Sequence, residues 1–142
     1  MNLERAIEIA VSAHKGQADK AGAPYVLHPL RVMMSLVTEE ERIVGILHDV
    51  VEDSDWTFER LRDEGFSDTV LDALQSVTAM RGEAYEHFIE RARANAIGRR
   101  VKIADVTDNL DLRRIMELTE RDFERLKKYR AALNALQRQV TD

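Results

Sequence analysis

The sequence predicts an all-α fold, and three features of its composition and patterning support this prediction. The chain has 142 residues, of which 44% are hydrophobic and 33% charged, a mixture typical of a globular domain with a sizeable core. It contains 6 Gly and 2 Pro, too few for a many-stranded sandwich or barrel, where turns recur about every 8–12 residues. Apolar residues instead recur at spacings of three and four. We therefore expect one compact bundle of about eight helices spanning residues 1–142, with no substantial sheet.

The first two predicted helices flank a small polar loop. Apolar residues at helical spacing predict a helix over residues 3–13, which ends near Gly16. Residues 17–24 are small and polar and include the breakers Gly22 and Pro24, so we expect a loop there. A second helix is predicted over about residues 29–37.

The third predicted helix is the most apolar part of the chain. Thr38 and Glu41 form a capping-box pattern, which predicts a helix start at that point. From there the sequence is apolar on most sides as far as Val51, a pattern typical of a buried central helix. Five further helices are predicted at residues 57–65, 67–77, 84–95, 99–110 and 120–140.

Composition also limits the chemistry and the partners of the protein. The chain has no Cys, which excludes disulfides, thiolate zinc sites, iron–sulfur clusters and a cysteine nucleophile. With 21 Lys and Arg against 26 Asp and Glu, its net charge is −5, which argues against a long nucleic-acid partner. It has no apolar stretch of about 20 residues and no signal-peptide pattern, so we expect a cytoplasmic protein without a membrane partner.

Four polar residues lie in the most apolar predicted helix: His48, Asp49, Glu52 and Asp53. Burying an unpaired carboxylate or imidazolium is costly, so these groups need a compensating partner. Because His48 and Glu52 are four residues apart, as are Asp49 and Asp53, one end of the helix presents two columns of ligand-type side chains. A divalent cation would compensate for their burial.

Two further donors stand in otherwise apolar surroundings, His28 after the loop and Asp105 in the segment 101–106. Asn109 lies one turn beyond Asp105. Two imidazoles and two carboxylates suit a first-row divalent ion, and this donor set does not choose among manganese, iron and zinc.

A purely structural interpretation competes with this hypothesis. A single His on an apolar helix face is more often a core residue than a ligand, and an Asp before a helix is often a cap. We favour this interpretation for His14, His87, Asp53 and Asp55 when each is taken alone. His48 and Asp49 differ because two consecutive residues cannot both face solvent on a helix that is apolar nearly all round.

Several segments together resemble the HD-domain metal phosphohydrolases, specifically the hydrolase domain of the RelA/SpoT homologues and the small alarmone hydrolases. The similarity covers most of residues 3–112. The matching segments follow the family's order: His14-Lys15-Gly16-Gln17, Lys20-Ala21-Gly22-Ala23-Pro24-Tyr25-Val26-Leu27-His28-Pro29, Leu47-His48-Asp49-Val50-Val51-Glu52-Asp53-Ser54, and Lys102-Ile103-Ala104-Asp105 with Asn109.

The resemblance implies a role for each candidate residue. The metal ligands would be His28, His48, Asp49 and Asp105, commonly with manganese, and iron or zinc as alternatives. Glu52 and Asp53 would align the attacking water or accept its proton. Lys20, Tyr25, Lys102 and Asn109 would contact a small phosphorylated, nucleotide-like substrate, with Asn109 at the ribose. The implied reaction is removal of the 3′-pyrophosphate from guanosine tetraphosphate or pentaphosphate. Nothing resembles the synthetase domain of longer homologues, so we expect degradative activity.

The chain departs from the family pattern at three places on the expected nucleotide-binding rim. Asp19 stands where the alarmone hydrolases usually carry an Arg that packs on the base, which exchanges a stacking cation for an anion. The family's Asp-Arg-Leu-His-Asn stretch corresponds to residues 105–109, which keep the ligand Asp105 and the asparagine Asn109 but lack the Arg and the His. The third departure is Leu112, at a position where a small hydroxyl residue is common. Hydrolysis of another nucleotide or phosphorylated metabolite, and a non-catalytic metal- and phosphate-binding module, therefore stay open as alternatives.

Two surface features have a functional and a structural interpretation. The final helix carries several cations that could approach a phosphate, although we favour a solvated face for them: Arg121, Arg125, Lys127, Lys128 and Arg130. Met33, Met34 and Leu36 could serve a homodimer interface, and core packing explains them equally well.

Overall fold

The computed structural model describes residues 1–138, which form nine α-helices and one short 3₁₀ helix. The helices are α1 (Leu3–Ala13), α2 (Leu27–Met34), α3 (Glu39–Leu47), α4 (Val50–Asp53), α5 (Phe58–Asp63), α6 (Asp68–Ser76), α7 (Tyr85–Ala94), α8 (Ala96–Asn109) and α9 (Glu120–Gln137), with the 3₁₀ helix at Leu112–Arg114. Within residues 1–138 the only β-type pairing is an isolated bridge between Ala18 and Pro24. The all-α prediction is confirmed.

Several helix starts rest on local capping contacts, whereas α2 and α7 begin without a side-chain cap. The Thr38 side chain accepts the Glu41 backbone N–H at 3.1 Å, and the Glu41 carboxylate accepts the Thr38 N–H at 3.3 Å, which completes the capping box. Asn95 caps α8 by accepting the Gly98 N–H at 2.8 Å, so α8 begins three residues before the predicted position. The last two residues predicted for the final helix, 139 and 140, lie outside the described residues.

The third predicted helix is not continuous, and the break lies at His48 and Asp49. In a continuous helix the Gly45 carbonyl oxygen would accept the Asp49 backbone N–H. Instead the His48 ring atom Nδ1 donates to this oxygen at 2.7 Å. The helix therefore stops at Leu47 and restarts as the short α4 at Val50, which accounts for the extra helix.

Helix α3 lies at the centre of the bundle and packs against α1, α2, α6 and α8. Its Val44, Ile46 and Leu47 are fully buried in the core. Met33 and Leu36 also belong to this core, whereas Met34 is exposed. Helix α8 contacts α2 and α3 as well as α7 and α9, so the break after α3 faces both α2 and α8. No helix among the described residues is long and apolar enough to cross a membrane.

Candidate functional site

Four predicted ligands from three parts of the fold meet beside the helix break. His28 comes from α2, His48 and Asp49 from the break, and Asp105 from α8. Ligand atoms of His28, His48 and Asp49 lie within 4.8 Å of one another, so these residues can hold a divalent metal. Oδ1 of Asp105 lies 2.9 Å from Nε2 of His28 and 3.5 Å from Nε2 of His48.

Both imidazoles direct Nε2 towards this cluster because each Nδ1 has a partner elsewhere. Nδ1 of His48 bonds the Gly45 carbonyl oxygen, and Nδ1 of His28 lies 2.6 Å from Oδ2 of Asp108. Nε2 of His48 is buried and makes no hydrogen bond among the described residues, although Oδ2 of Asp49 lies 3.1 Å away. Buried polar atoms normally have a partner, and a neutral imidazole nitrogen is a common metal ligand. The donor set therefore fits a first-row divalent cation.

The four groups strongly perturb one another's protonation. Burial lowers the pKa of His48, but the Asp49 and Asp105 charges outweigh it and raise this pKa well above its usual value. Burial raises the pKa of Asp105, but the Lys102 and His48 charges bring it well below its usual value. In the same way, the His48 charge overcomes burial and lowers the pKa of Asp49 to about 2. Because a metal ligates the neutral imidazole, the raised pKa of His48 means that metal binding would be accompanied by proton release.

Three of the predicted substrate-binding residues contact the ligand carboxylates. The buried Lys102 ammonium donates to Oδ2 of Asp105 at 2.8 Å, and Nδ2 of Asn109 donates to Oδ1 of Asp105 at 3.2 Å. The Tyr25 hydroxyl donates to Oδ2 of Asp49. These contacts orient the carboxylates that face the two histidines.

A cavity of about 870 Å³ opens beside the cluster. This volume lies in the range of about 300–1,000 Å³ that is typical of small-molecule sites. The cavity reaches His28, Asp49 and Asp105, and it is lined by six basic side chains: Lys20, Lys102, Arg114, Arg121, Arg125 and Lys128. Asp19, Glu117 and Asp122 line it as well, and Lys102, Arg114 and Arg125 are paired with carboxylates. Anionic groups of a ligand would therefore be attracted mainly to the cations that form no ion pair among the described residues: Lys20, Arg121 and Lys128.

Three of the five cations on the final helix line the cavity, and two of these, Arg121 and Lys128, are also exposed to solvent. Arg121, Arg125 and Lys128 line the cavity, whereas Lys127 pairs with Glu124 on the exposed side at 3.5 Å. Positions 121, 125 and 128 fall at helical spacings of four and three, which places them on one face of α9. That spacing was the signal in the sequence that could have identified them.

The predicted catalytic pair lies on α4, beside the ligands but outside the cavity lining. The Glu52 carboxylate accepts the Ala79 backbone N–H at 2.7 Å, and the Asp53 carbonyl oxygen accepts from the Gln17 amide at 2.9 Å. Both side chains are exposed. Burial of part of each carboxyl raises the pKa of Glu52 and of Asp53, and the Asp49 charge raises both further.

Two of the departures from the family pattern, Asp19 and Asp108, both contact Arg114, which lines the cavity. Oδ1 of Asp19 accepts the backbone N–H groups of Ala21 and Ala23 at 3.0 and 2.9 Å, which fixes the loop. Oδ2 of Asp19 lies 3.9 Å from Nη2 of Arg114. Arg114 also donates to Oδ2 of Asp108 at 3.0 Å and to Oδ1 of Asn109 at 2.9 Å. The sequence assigned no role to Arg114 or Asp108, because their contacts depend on tertiary structure.

Comparison with known proteins places these features in one family. A family model described as "HD domain" matches residues 6–110. A guanosine-3′,5′-bis(diphosphate) 3′-pyrophosphohydrolase of Aquifex aeolicus is 33% identical over 77% of this chain and 17% of its own length. A GTP pyrophosphokinase of Streptomyces coelicolor is 33% identical over 84% of this chain and 15% of its own length. The chain thus spans less than a fifth of either relative.

A solved structure shares the fold. It is described as a metazoan orthologue of SpoT that hydrolyses ppGpp, and it superposes with a TM-score of 0.78 at 23% identity. The match covers 95% of this chain and 85% of that one. This likeness shows the shared fold, and the match over residues 6–110 shows that the chain belongs to the HD domain family.

Proposed function

We propose that this chain is a divalent-metal-dependent phosphohydrolase that removes the 3′-pyrophosphate from guanosine tetraphosphate or pentaphosphate. One observation carries the proposal: the cluster of His28, His48 and Asp49 borders a cavity that six basic side chains also line. A metal site next to a basic, nucleotide-sized cavity suits a substrate with several phosphates. We also propose that the protein acts in the cytoplasm.

The metal would be held by His28, His48, Asp49 and Asp105. Mn²⁺ is the ion we propose, with Fe²⁺ and Zn²⁺ as alternatives that the same donors accept. When bound, such a cation lowers the pKa of a water molecule and offsets negative charge on phosphoryl oxygens. Tyr25 and Lys102 would keep Asp49 and Asp105 oriented for this role through their present hydrogen bonds.

The protein's own residues would handle the proton and the substrate charge. Glu52 and Asp53 have raised pKa values, which suits groups that accept a proton from the attacking water. Lys20 is exposed at the mouth of the cavity and would meet the outer phosphates. Asn109, already within reach of Arg114, would contact the ribose.

A second candidate is hydrolysis of a different phosphorylated nucleotide or metabolite. The observation in its favour is Asp19, an anion fixed at the rim where the family usually stacks an arginine on the base. A third candidate function is a non-catalytic module that binds metal and phosphate. It is supported by Glu52, because the carboxylate of this predicted catalytic residue accepts the Ala79 backbone N–H and does not line the cavity.

The test is release of pyrophosphate from guanosine tetraphosphate in the presence of Mn²⁺, with Asp49→Asn as the inactive control. Release by the parent protein alone supports the proposed reaction. If the parent binds Mn²⁺ without releasing pyrophosphate, a panel of nucleotides and sugar phosphates follows. Turnover on that panel favours the second candidate, and ligand binding without any turnover favours the third.

A further inference from the structure

Helix α8 contacts both ring nitrogens of His28. Asp105 and Asp108 lie one turn apart on this helix, and each directs a carboxylate to the same imidazole. Oδ1 of Asp105 lies 2.9 Å from Nε2, on the side of the metal cluster. Oδ2 of Asp108 lies 2.6 Å from Nδ1, the opposite ring nitrogen.

Asp108 is itself held in place by two arginines. Arg31 donates from Nε to Oδ1 at 2.8 Å and from Nη2 to Oδ2 at 3.1 Å, a two-bond contact that fixes the plane of the carboxylate. Arg114 adds a hydrogen bond to Oδ2 at 3.0 Å. Hydrogen bonds from two guanidinium groups favour the anionic form of this carboxylate.

The two histidines of the cluster differ in what holds Nδ1. His48 donates to a neutral acceptor, the Gly45 carbonyl oxygen, whereas His28 meets the anionic Asp108. A carboxylate on Nδ1 keeps the proton there, leaves the Nε2 lone pair free for a cation and makes Nε2 more basic. His28 is therefore set up as the stronger nitrogen donor of the pair.

We propose that Asp108 is a positioning residue that fixes the orientation and tautomer of His28 and thereby raises the affinity of the centre for a divalent cation. Arg31 and Arg114 keep the Asp108 carboxylate in the plane that this contact requires. The inference rests on the proposed metal centre and adds to it a residue that does not touch the cation.

The test is titration calorimetry with Mn²⁺ alone, on the parent protein, Asp108→Ala and Asp108→Asn. Removing such an outer partner typically weakens metal binding about 10–100-fold, and we expect that loss for Asp108→Ala. Asp108→Asn keeps an acceptor oxygen without the charge, so its affinity should fall between those of the parent and the alanine variant. Long-range ¹H–¹⁵N spectra of the Zn²⁺-loaded parent should show the His28 proton on Nδ1.

Glu124→Ala is the control, because it removes an exposed carboxylate that pairs with Lys127 at 3.5 Å on α9, away from Asp108. It should bind Mn²⁺ like the parent. If Asp108→Ala binds Mn²⁺ within about twofold of the parent, Asp108 has no positioning role and the metal centre still stands. If the parent binds no divalent cation, the centre fails and this inference fails with it.

Circular dichroism establishes whether each variant folds. Should Asp108→Ala not fold, Arg31→Gln removes two of the hydrogen bonds to Asp108 without touching His28, and Arg31 is exposed. We expect a severalfold loss of Mn²⁺ affinity for Arg31→Gln. An unchanged affinity in that variant overturns the proposed link from Arg31 through Asp108 to His28.

Discussion

The Lys102 ammonium lies 2.8 Å from Oδ2 of Asp105, and both side chains are buried. Removing one partner of a buried ion pair leaves an uncompensated charge, which typically costs about 3–5 kcal/mol. We therefore expect Lys102→Met to lower the free energy of unfolding of the metal-free protein by about 3 kcal/mol, since Asp105 keeps its contact with His28. Urea unfolding in the presence of a chelator measures this loss.

Lys127→Met is the control for this prediction. Lys127 pairs with Glu124 at 3.5 Å on the exposed face of α9, and such surface pairs contribute about 0–1 kcal/mol. If both variants unfold at the same urea concentration, the buried Lys102–Asp105 pair contributes no more to stability than a surface pair, and the prediction is wrong.

A divalent cation should stabilise the fold through the cluster of His28, His48 and Asp49. Mn²⁺ at about 100 times its dissociation constant would add about 2.7 kcal/mol to the free energy of unfolding. Asp49→Asn should lose this gain, whereas the exposed Asp55→Asn should keep it. Thermal unfolding with and without Mn²⁺ tests the prediction, and an equal rise in Tm for the two variants would contradict it.

Most helix boundaries could be predicted because their causes are local in sequence. Thr38, Thr57 and Ser67 each cap the helix that follows with a hydrogen bond to a backbone N–H three residues on. The break at His48 could not be predicted in this way. It arises because a side chain takes a carbonyl oxygen that helical periodicity assigns to the backbone.

The candidate ligands could be identified because polar residues in apolar helices need a partner. His28 and Asp105 are 77 residues apart and nevertheless lie 2.9 Å from each other. The supporting residues carry no such signal. Asp108 lies on α8, which already has an explained aspartate in Asp105, and Arg114 reaches His28 and Asp108 only once α2 and α8 have packed together.

A tight contact between α6 and α8 makes Gly98 sensitive to substitution. A Cβ atom at Gly98 would lie 2.0 Å from Oγ of Ser76 and 3.2 Å from Cβ of Ser76. We expect Gly98→Ala to destabilise the fold by about 1–3 kcal/mol, the usual cost of overpacking a core. Ser76→Ala removes the closer of the two atoms, so Gly98→Ala should cost less in that background. Equal costs in the two backgrounds, measured by urea unfolding, would show that the contact with Oγ does not matter.

Acid should destabilise the folded protein by protonating Glu83, which lies just before α7. Arg91 donates to this carboxylate from Nε at 2.6 Å and from Nη2 at 2.8 Å, and these bonds lower the pKa of Glu83 to about 2. Since the pKa is depressed in the folded state, the stabilisation is present above the unfolded value of about 4.3 and is lost as pH falls towards about 2.

Glu83→Gln should therefore be less stable than the parent at pH 7, and the difference should shrink between about pH 4.5 and pH 2. Urea midpoints measured across that range test the prediction. Glu86→Gln, on the first turn of α7, is the control, and its stability should follow that of the parent across this range. A difference between Glu83→Gln and the parent that is independent of pH would mean that the charge of Glu83 is not its cause.

Lys127 and Lys128 are neighbours in sequence, but only Lys128 lines the cavity, where its ammonium lies 4.4 Å from the centre of the Tyr85 ring. If the cavity binds a polyphosphate, Lys128→Ala removes a cation that faces the substrate. A hydrogen bond to a charged group contributes about 1.5–3 kcal/mol, so the substrate KM should rise by about tenfold or more with kcat little changed. Lys127→Ala removes the same charge from α9 and should leave KM unchanged. A similar rise in KM for both variants would indicate a long-range effect of net charge, which added salt would screen. A rise confined to Lys128→Ala would show that this face of α9 is part of the substrate site.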